Sequence, residues 1–269
     1  MVREKIIAAL QKVLVTEGKY ELAAILRELL DYLAAELDFD FTNDQDVLTH
    51  FGKALNARAS AQGLRYPFRT KKYLLATLKA LENPQVKEVL YLGTGPFAPF
   101  FVFPILLGYT QARFTLVEVN PYSVAVMRKL IDRLELSPYV TAILQQDAAV
   151  WQVDRHYDLV TSEINDVGMK REDSFAVFQN IYRQLPAAHY IPKDIFLYLK
   201  TEAAFEDKAA PGDYYDSLTD GFARGYLRTD CPYPATDRPL LQTRVLVDEE
   251  IVLEPDESVI TKSVYFYSL

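Results

Sequence analysis

The chain has 269 residues, half of them apolar and a quarter charged, with ten glycines and no low-complexity tract; this excludes disordered and collagen-like classes and leaves a globular protein able to bury a sizeable core. Twenty-nine basic against thirty-seven acidic residues give a net charge of −8, a field that repels phosphate backbones and anionic lipid surfaces, so neither nucleic acid nor a membrane is an expected partner. The single cysteine, Cys231, excludes an intrachain disulfide framework. No apolar run reaches the roughly eighteen residues of a membrane span, and Met1 to Lys5 leads into an amphipathic helix rather than an apolar signal core, so the expected location is the cytoplasm.

Ile6, Ile7, Leu10, Val13 and Leu14 recur at helical spacing, and Leu22, Ile25, Leu26, Leu29, Leu30 and Leu33 do so again after a break at Gly18. The pattern predicts a helical hairpin that serves as a packing layer or a dimerisation surface, compatible with a homo-oligomer. Asp38 to Asp44 has no helical period and predicts a linker, followed by a helix over Asp46 to Arg58. A further helix starts after Pro67, runs through Tyr73, Leu74, Leu78 and Leu81, and stops at Asn83-Pro84. It carries Arg69-Thr70. If it packs across a pocket mouth, Arg69 can clamp a carboxylate bidentately; a solvated surface arginine is the competing reading.

Val89 to Leu92 is an apolar strand running into Gly93-Thr94-Gly95-Pro96-Phe97-Ala98. Gly93, Gly95 and Ala98 fit the G-x-G-x-x-G/A pattern, which lets backbone turn sharply and approach a nucleoside. Phe114 to Val119 predicts a second strand whose Glu118, about twenty residues on, can accept both ribose hydroxyls. Between them Pro99 to Leu107 predicts a buried helix bent near Pro104. Asn120-Pro121 caps a helix over Tyr122 to Leu134, Asn120 is also a candidate cofactor contact, and Tyr139 to Leu144 is the third strand. Asp147 and Ala148 then reach the pocket edge, where an Asp can accept from an adenine amino group; a surface-turn aspartate competes with that reading. The fourth strand, Tyr157 to Thr161, delivers Ser162, Glu163, Ile164 and Asn165 to the same edge. Glu163 is the candidate to hold a cationic substrate and take a proton, with Asn165 next to it.

A helix over Ser174 to Leu185 and a strand over Asp194 to Lys200 complete a βαβ alternation. Residues 208–239 read as a long loop. Leu241 to Val247 and Ser258 to Tyr267 read as antiparallel strands, separated by an acidic stretch from Asp248 to Glu257 expected to be a solvated face. The fold class is therefore α/β: a Rossmann-like doubly wound sheet with an N-terminal helical segment (1–84), a cofactor-binding core (85–205) and a small β-rich C-terminal unit (206–269). No metal is expected.

The ordered set Arg69-Thr70, Gly93-Thr94-Gly95, Glu118, Asp147-Ala148 and Ser162-Glu163 resembles class I S-adenosylmethionine-dependent methyltransferases, and within them the protein arginine methyltransferase branch, over about Leu64 to Asp207. The resemblance implies S-adenosylmethionine as cofactor, with Arg69 on its methionine carboxylate, Gly93, Thr94 and Gly95 under it, Glu118 on the ribose, and Asp147 or Ala148 on the adenine side. Ser162-Glu163 is similar to the start of that branch's double-glutamate hairpin, for whose second member Asp166, Glu172 and Asp173 are the available stand-ins. Ile191-Pro192-Lys193-Asp194 resembles its passage into a C-terminal barrel. Tyr91 stands where an acidic residue is usual, no Thr-His-Trp motif occurs, and the stretch after Lys200 is too short for the full barrel. With the acidic balance, these departures point to a small-molecule amine, guanidine or similar metabolite as acceptor. Three other readings stand beside it: a nicotianamine-synthase-like aminocarboxypropyl transferase, an NAD-dependent oxidoreductase, and a catalytically silent nucleoside-binding module. Against the oxidoreductase, a helical segment precedes the first strand where a dinucleotide fold begins strand first.

Overall fold

The computed structural model describes residues 2–164, 174–201, 212–224, 226–227, 230–233, 239–255, 257–258, 261 and 264–265. The predicted helical hairpin is formed by α1 (Val2–Val15) and α2 (Lys19–Glu36), whose Ile6, Leu10, Val13, Leu22, Leu26 and Leu30 are fully buried. Asp38, at a φ of 50° that aspartate tolerates better than most residues, turns the chain back so that the amide of Phe39 donates to Ala34. The Phe39 ring then packs on Phe97 and Tyr122, and the Tyr122 hydroxyl accepts from the Asp40 amide at 2.7 Å. Local chain reversal thus fixes the helical layer against the segment that follows the glycine turn.

No helix spans Asp46 to Arg58. The chain makes instead a short hairpin, β1 (Val47–Leu48) and β2 (Lys53–Ala54), then α3 (Ala57–Gly63). Short polar side chains outcompete the helical ladder here. Asp46 Oδ1 accepts from both the amide and the side chain of Asn56, at 3.2 and 2.8 Å, and Asn56 in turn accepts from the Ala59 amide at 2.8 Å to cap α3. The hairpin turn closes through Thr49 N donating to Gly52 O.

Helix α4 (Pro67–Glu82) starts on proline and ends before Pro84 as expected, with Arg69, Thr70, Tyr73, Leu74, Leu78 and Leu81 all buried. The core is a five-stranded sheet in the order β5 (Val140–Gln145), β4 (Arg113–Glu118), β3 (Glu88–Leu92), β6 (Leu159–Ser162), β7 (His189–Ile191), with every neighbouring pair parallel. Helices α5 (Pro99–Leu106), α6 (Pro121–Arg133) and α7 (Ser174–Gln184) make three of its connections. The chain leaves β3 in one direction and returns as β6 on its other side, which opens a crevice at the carboxyl ends of these two strands.

The strand Asp194–Lys200 is present as β8, but it is not part of the parallel sheet; the three-residue β7 takes that place. Ile195, Leu197 and Leu199 face a core while Phe196 and Tyr198 are half-buried, a period-two face that pairs antiparallel with β10 (Leu240–Asp248). The expected loop over 208–239 also contains β9 (Asp213–Ser217), which pairs with β8, and α8 (Leu218–Arg224). After β11 (Ile251–Leu253), the described part of the strand expected over Ser258 to Tyr267 includes β12 (Val264–Tyr265), while Ser258 and Thr261 bond to each other ahead of it. The acidic stretch is not simply solvated. Asp248 and Glu250 lie 3.0 and 2.9 Å from Lys79 Nζ, and Glu257 pairs with Lys72, so α4 lysines bind the C-terminal unit to the core. No helix among the described residues is long and apolar enough to cross a membrane.

The base of β3 is pinned by Asp158, whose Oδ2 accepts from the amides of Lys87 and Glu88 at 2.8 and 2.9 Å while His156 approaches Oδ1. Burial pushes this carboxyl up, but the two amides and the histidine outweigh it and hold it below the usual aspartate range. An acid held below its unfolded value stabilises the fold above that value and loses the contribution as pH falls through the folded one. Asp158→Asn should therefore cost about 1–3 kcal/mol near neutrality and much less at pH 2–3, in denaturant titrations of both proteins across that range.

Candidate functional site

The crevice holds a cavity of about 580 Å³. Its floor is the turn after β3. Gly93 and Gly95 have φ of 63° and 61°, and a Cβ on Gly93 would lie 2.1 Å from Ile164 Cγ2, so side chains are excluded there both by backbone conformation and by space. Thr94 lies on the same turn and lines the cavity, its hydroxyl bonding to Gly95 O and Met127 Sδ.

Glu118, at the end of β4, is 7% exposed and uses both oxygens on backbone: Oε2 accepts from Gly95 N and Oε1 from Asn120 N, each at 2.8 Å. Burial raises its pKa, and the backbone amides oppose the rise. Asn120 caps α6 as its Asn-Pro pair predicts, its side chain accepting from Tyr122 N and Ser123 N, and it is not among the residues lining the cavity. Asp147 and Ala148 do line the cavity. Asp147 accepts from Ala149 N at 2.9 Å and from His50 N at 2.8 Å, which fastens the β1–β2 hairpin beside the mouth.

Arg69 is buried rather than solvated. Its Nη2 donates to Gly63 O at 2.6 Å, and its guanidinium stacks 4.8 Å from the Tyr66 ring centroid, the two residues being one helical turn apart. Nη1 lies 2.9 Å from Glu163 Oε1, so the two charges assigned to opposite ends of the chemistry meet in this structure. The approach lacks hydrogen-bond alignment, and Glu163 Oε1 remains without a hydrogen-bond partner. Burial raises the Glu163 carboxyl and Arg69 only partly offsets it, leaving the group pushed up to about 7. Tyr91, fully buried below it, is raised too, first by burial and then by Glu163 itself. Asn165, with Asp166, Glu172 and Asp173, lies outside the described residues.

Sequence reading missed the wall supplied by Lys53, Leu55, Ser60 and Tyr66, because the hairpin was hidden in an apparent helical period. The available signals were Gly52 inside that period and the Tyr66 to Arg69 spacing. Among the described residues no group of three or more His, Cys, Asp or Glu could hold a metal ion.

No protein-family model matches the chain, and no curated protein matches it. Among solved structures, the Trypanosoma brucei PRMT1 enzyme–prozyme heterotetrameric complex with AdoHcy is similar over 76% of this chain and 80% of that chain, at 12% identity and a TM-score of 0.53. Arabidopsis thaliana protein arginine methyltransferase 10 is similar over 50% of this chain and 38% of its own, at 20% identity and a TM-score of 0.42. A StiE O-MT structure is similar over 49% and 45%, at 19% identity and a TM-score of 0.35. The chain thus spans less than half the length of the latter two. The Trypanosoma likeness shows the fold alone, a Rossmann-like α/β architecture, which in this chain is followed by an antiparallel sheet.

Glu163 makes a stability test available. A carboxyl held near 7 in the fold and at its ordinary value near 4.5 when unfolded keeps its proton preferentially in the native state between those values. The native state is thereby favoured below that window and loses the advantage as pH rises through it. Relative to Glu163→Gln, the parent protein should lose on the order of 3 kcal/mol between pH 4.5 and 7. Denaturant midpoints of both proteins, measured across that range, should converge or cross accordingly; parallel curves would place Glu163 in water.

Proposed function

We propose that the chain is an S-adenosylmethionine-dependent methyltransferase acting on a small-molecule amine, guanidine or similar metabolite. The observation that carries this reading is the meeting of Glu118, Arg69 and Glu163 around one glycine-floored cavity. The residues suit the cofactor. Glu118 keeps lone pairs beyond its two backbone bonds for ribose hydroxyls, and Arg69 keeps donors beyond Gly63 and Glu163 for an amino-acid carboxylate. Glu118 and Glu163 favour a ligand with a positive centre.

A dinucleotide is served worse. Its pyrophosphate needs free amides at the glycine turn and the next helix start, whereas Gly95 N is taken by Glu118 and the first residue of α5 is proline. Glu118 and Glu163 would also repel phosphate. These features support the sulfonium cofactor over the oxidoreductase alternative.

When bound, S-adenosylmethionine supplies an activated methyl group: the carbon–sulfur bond breaks with its electron pair going to sulfur as the acceptor lone pair forms the new bond. The protein orients and desolvates. Arg69 would hold the methionine carboxylate and Glu118 the ribose, the turn at Gly93 and Gly95 would admit the cofactor closely, and Glu163 would receive the proton that a nitrogen acceptor releases. A value near 7 suits that role, since the group can be ionised to accept and protonated afterwards at neutral pH. An arginine side chain in a polypeptide is the second reading, favoured by the fold shared with the Trypanosoma enzyme.

Calorimetry with S-adenosylmethionine, S-adenosylhomocysteine and NAD should show binding of the first two alone; preferential NAD binding would overturn the reading. Arg69→Ala should weaken S-adenosylhomocysteine by about ten- to a hundredfold, while Glu163→Gln should leave it within about threefold. Methyl-labelled cofactor with amines, guanidines and an arginine peptide should then separate metabolite from protein acceptors.

A further inference from the structure

Arg69 sits in a cradle made by residues just before it in the chain. Helix α3 ends at Gly63 and α4 begins at Pro67, which disfavours helical backbone in the residue ahead of it; Tyr66 is accordingly extended, at φ −77° and ψ 102°. The turn between the helices closes through Tyr66 N donating to Gly63 O at 3.2 Å. That same carbonyl accepts from Arg69 Nη2 at 2.6 Å, while the Tyr66 ring covers the guanidinium face. Space at Gly63 completes the cradle. A Cβ there would lie 2.5 Å from Arg69 Nη2, and the other atom within 4 Å is Arg69 Cζ, at 3.7 Å. Gly63 is helical and outside the left-handed region that would demand a glycine, so what excludes a side chain at this position is the arginine. The guanidinium is held without being used up. Among the described residues the hydrogen bonding of Arg69 is confined to Gly63 O, neither Nε nor Nη1 is among the sealed, unpaired atoms, and the residue lines the cavity.

We infer that Gly63 and Tyr66 are positioning residues that hold the Arg69 fork ready for an amino-acid carboxylate, and so make the cavity prefer nucleoside thioethers that carry an amino-acid end. The inference rests on the methyl-transfer reading and adds what confers recognition of that end of the cofactor. Both residues act through Arg69. An arginine free to sample its rotamers loses that freedom on binding, whereas one fixed beforehand does not, so the cradle raises affinity without adding a ligand contact. Orientation matters as much, because a planar fork recognises a carboxylate only when its donors point along the right lines. Glu163 lies 2.9 Å from Nη1, and with Nη2 engaged by Gly63 O and one face by Tyr66 the fork is not free to swing wholly onto that carboxylate.

The test titrates the full chain in a calorimeter with S-adenosylhomocysteine and with 5′-methylthioadenosine, a nucleoside thioether that lacks the amino-acid end. Gly63→Ala should weaken S-adenosylhomocysteine at least about fivefold. Tyr66→Leu should weaken it about three- to thirtyfold, and Tyr66→Phe, which keeps the ring, should stay within about twofold of the parent. All three should bind 5′-methylthioadenosine within about twofold of the parent. Gly63→Ala should melt at the parent temperature or above, since alanine suits a helix better and the atoms it meets belong to a side chain able to move. In an Arg69→Ala background neither Gly63→Ala nor Tyr66→Leu should weaken S-adenosylhomocysteine further, the non-additivity of residues that act through one group. Residues that merely shape the fold would lower the melting temperature and weaken both ligands alike. Parent-like S-adenosylhomocysteine affinity in either Gly63→Ala or Tyr66→Leu, an equal loss for the two ligands, a full further loss in the Arg69→Ala background, or a Gly63→Ala variant that does not fold would overturn the cradle while leaving the cofactor reading intact. Absence of S-adenosylhomocysteine binding by the parent protein would instead remove the methyl-transfer reading and the cradle with it.

Discussion

One buried carboxylate holds the architecture of the site together. Glu118 bonds on one side to the amide of Gly95, in the turn after β3, and on the other to the amide of Asn120, at the start of α6. Asn120 can then cap α6, so the ends of two adjacent strands and the entry of a helix share a single anion. Such an anion inside the protein is tolerable only where hydrogen bonds replace water, and the two backbone amides provide that replacement. Because they come from the backbone, the arrangement depends on chain path rather than on the choice of neighbouring side chains.

The parallel core was legible because its signals are local and redundant. Apolar strands, a glycine turn and a terminal acid recur in an order that few other folds satisfy, and Gly93, Gly95 and Glu118 stand where that order places them. The Asp46 to Arg58 segment was not legible, since its apolar spacing is compatible with a helix and what decides its form is competition from Asp46 and Asn56 for backbone amides. Strand β8 was legible as a strand but not as a member of a second sheet: Phe196 and Tyr198 are as apolar by type as Ile195 and Leu197, which hides the alternation that marks an antiparallel face.

The site was legible in its residues more than in their relations. Arg69 and Glu163 are both at the cavity, yet their 2.9 Å contact could not be read from positions ninety-four apart in the chain, and it links two groups that had been given separate tasks. Asn120 was legible as the cap of α6, because an Asn-Pro pair after a strand is a helix-start signal, and its side chain takes that role.

Helix α4 touches the N-terminal helical layer, the parallel core and the C-terminal unit. Lys71 Nζ reaches Thr16 O and Glu17 in the link between α1 and α2, Lys72 and Lys79 hold the acidic residues of the C-terminal unit, and Arg69 enters the cavity from the first turn. In mechanical terms the helix is a beam clamped along its length, and the arginine is the tip it extends. A rotation of a few degrees that would be harmless in a surface helix would displace that tip and also strain salt bridges far from it. The two flanking layers, remote from any chemistry, therefore act as the stiffness of the arm that Arg69 extends into the crevice.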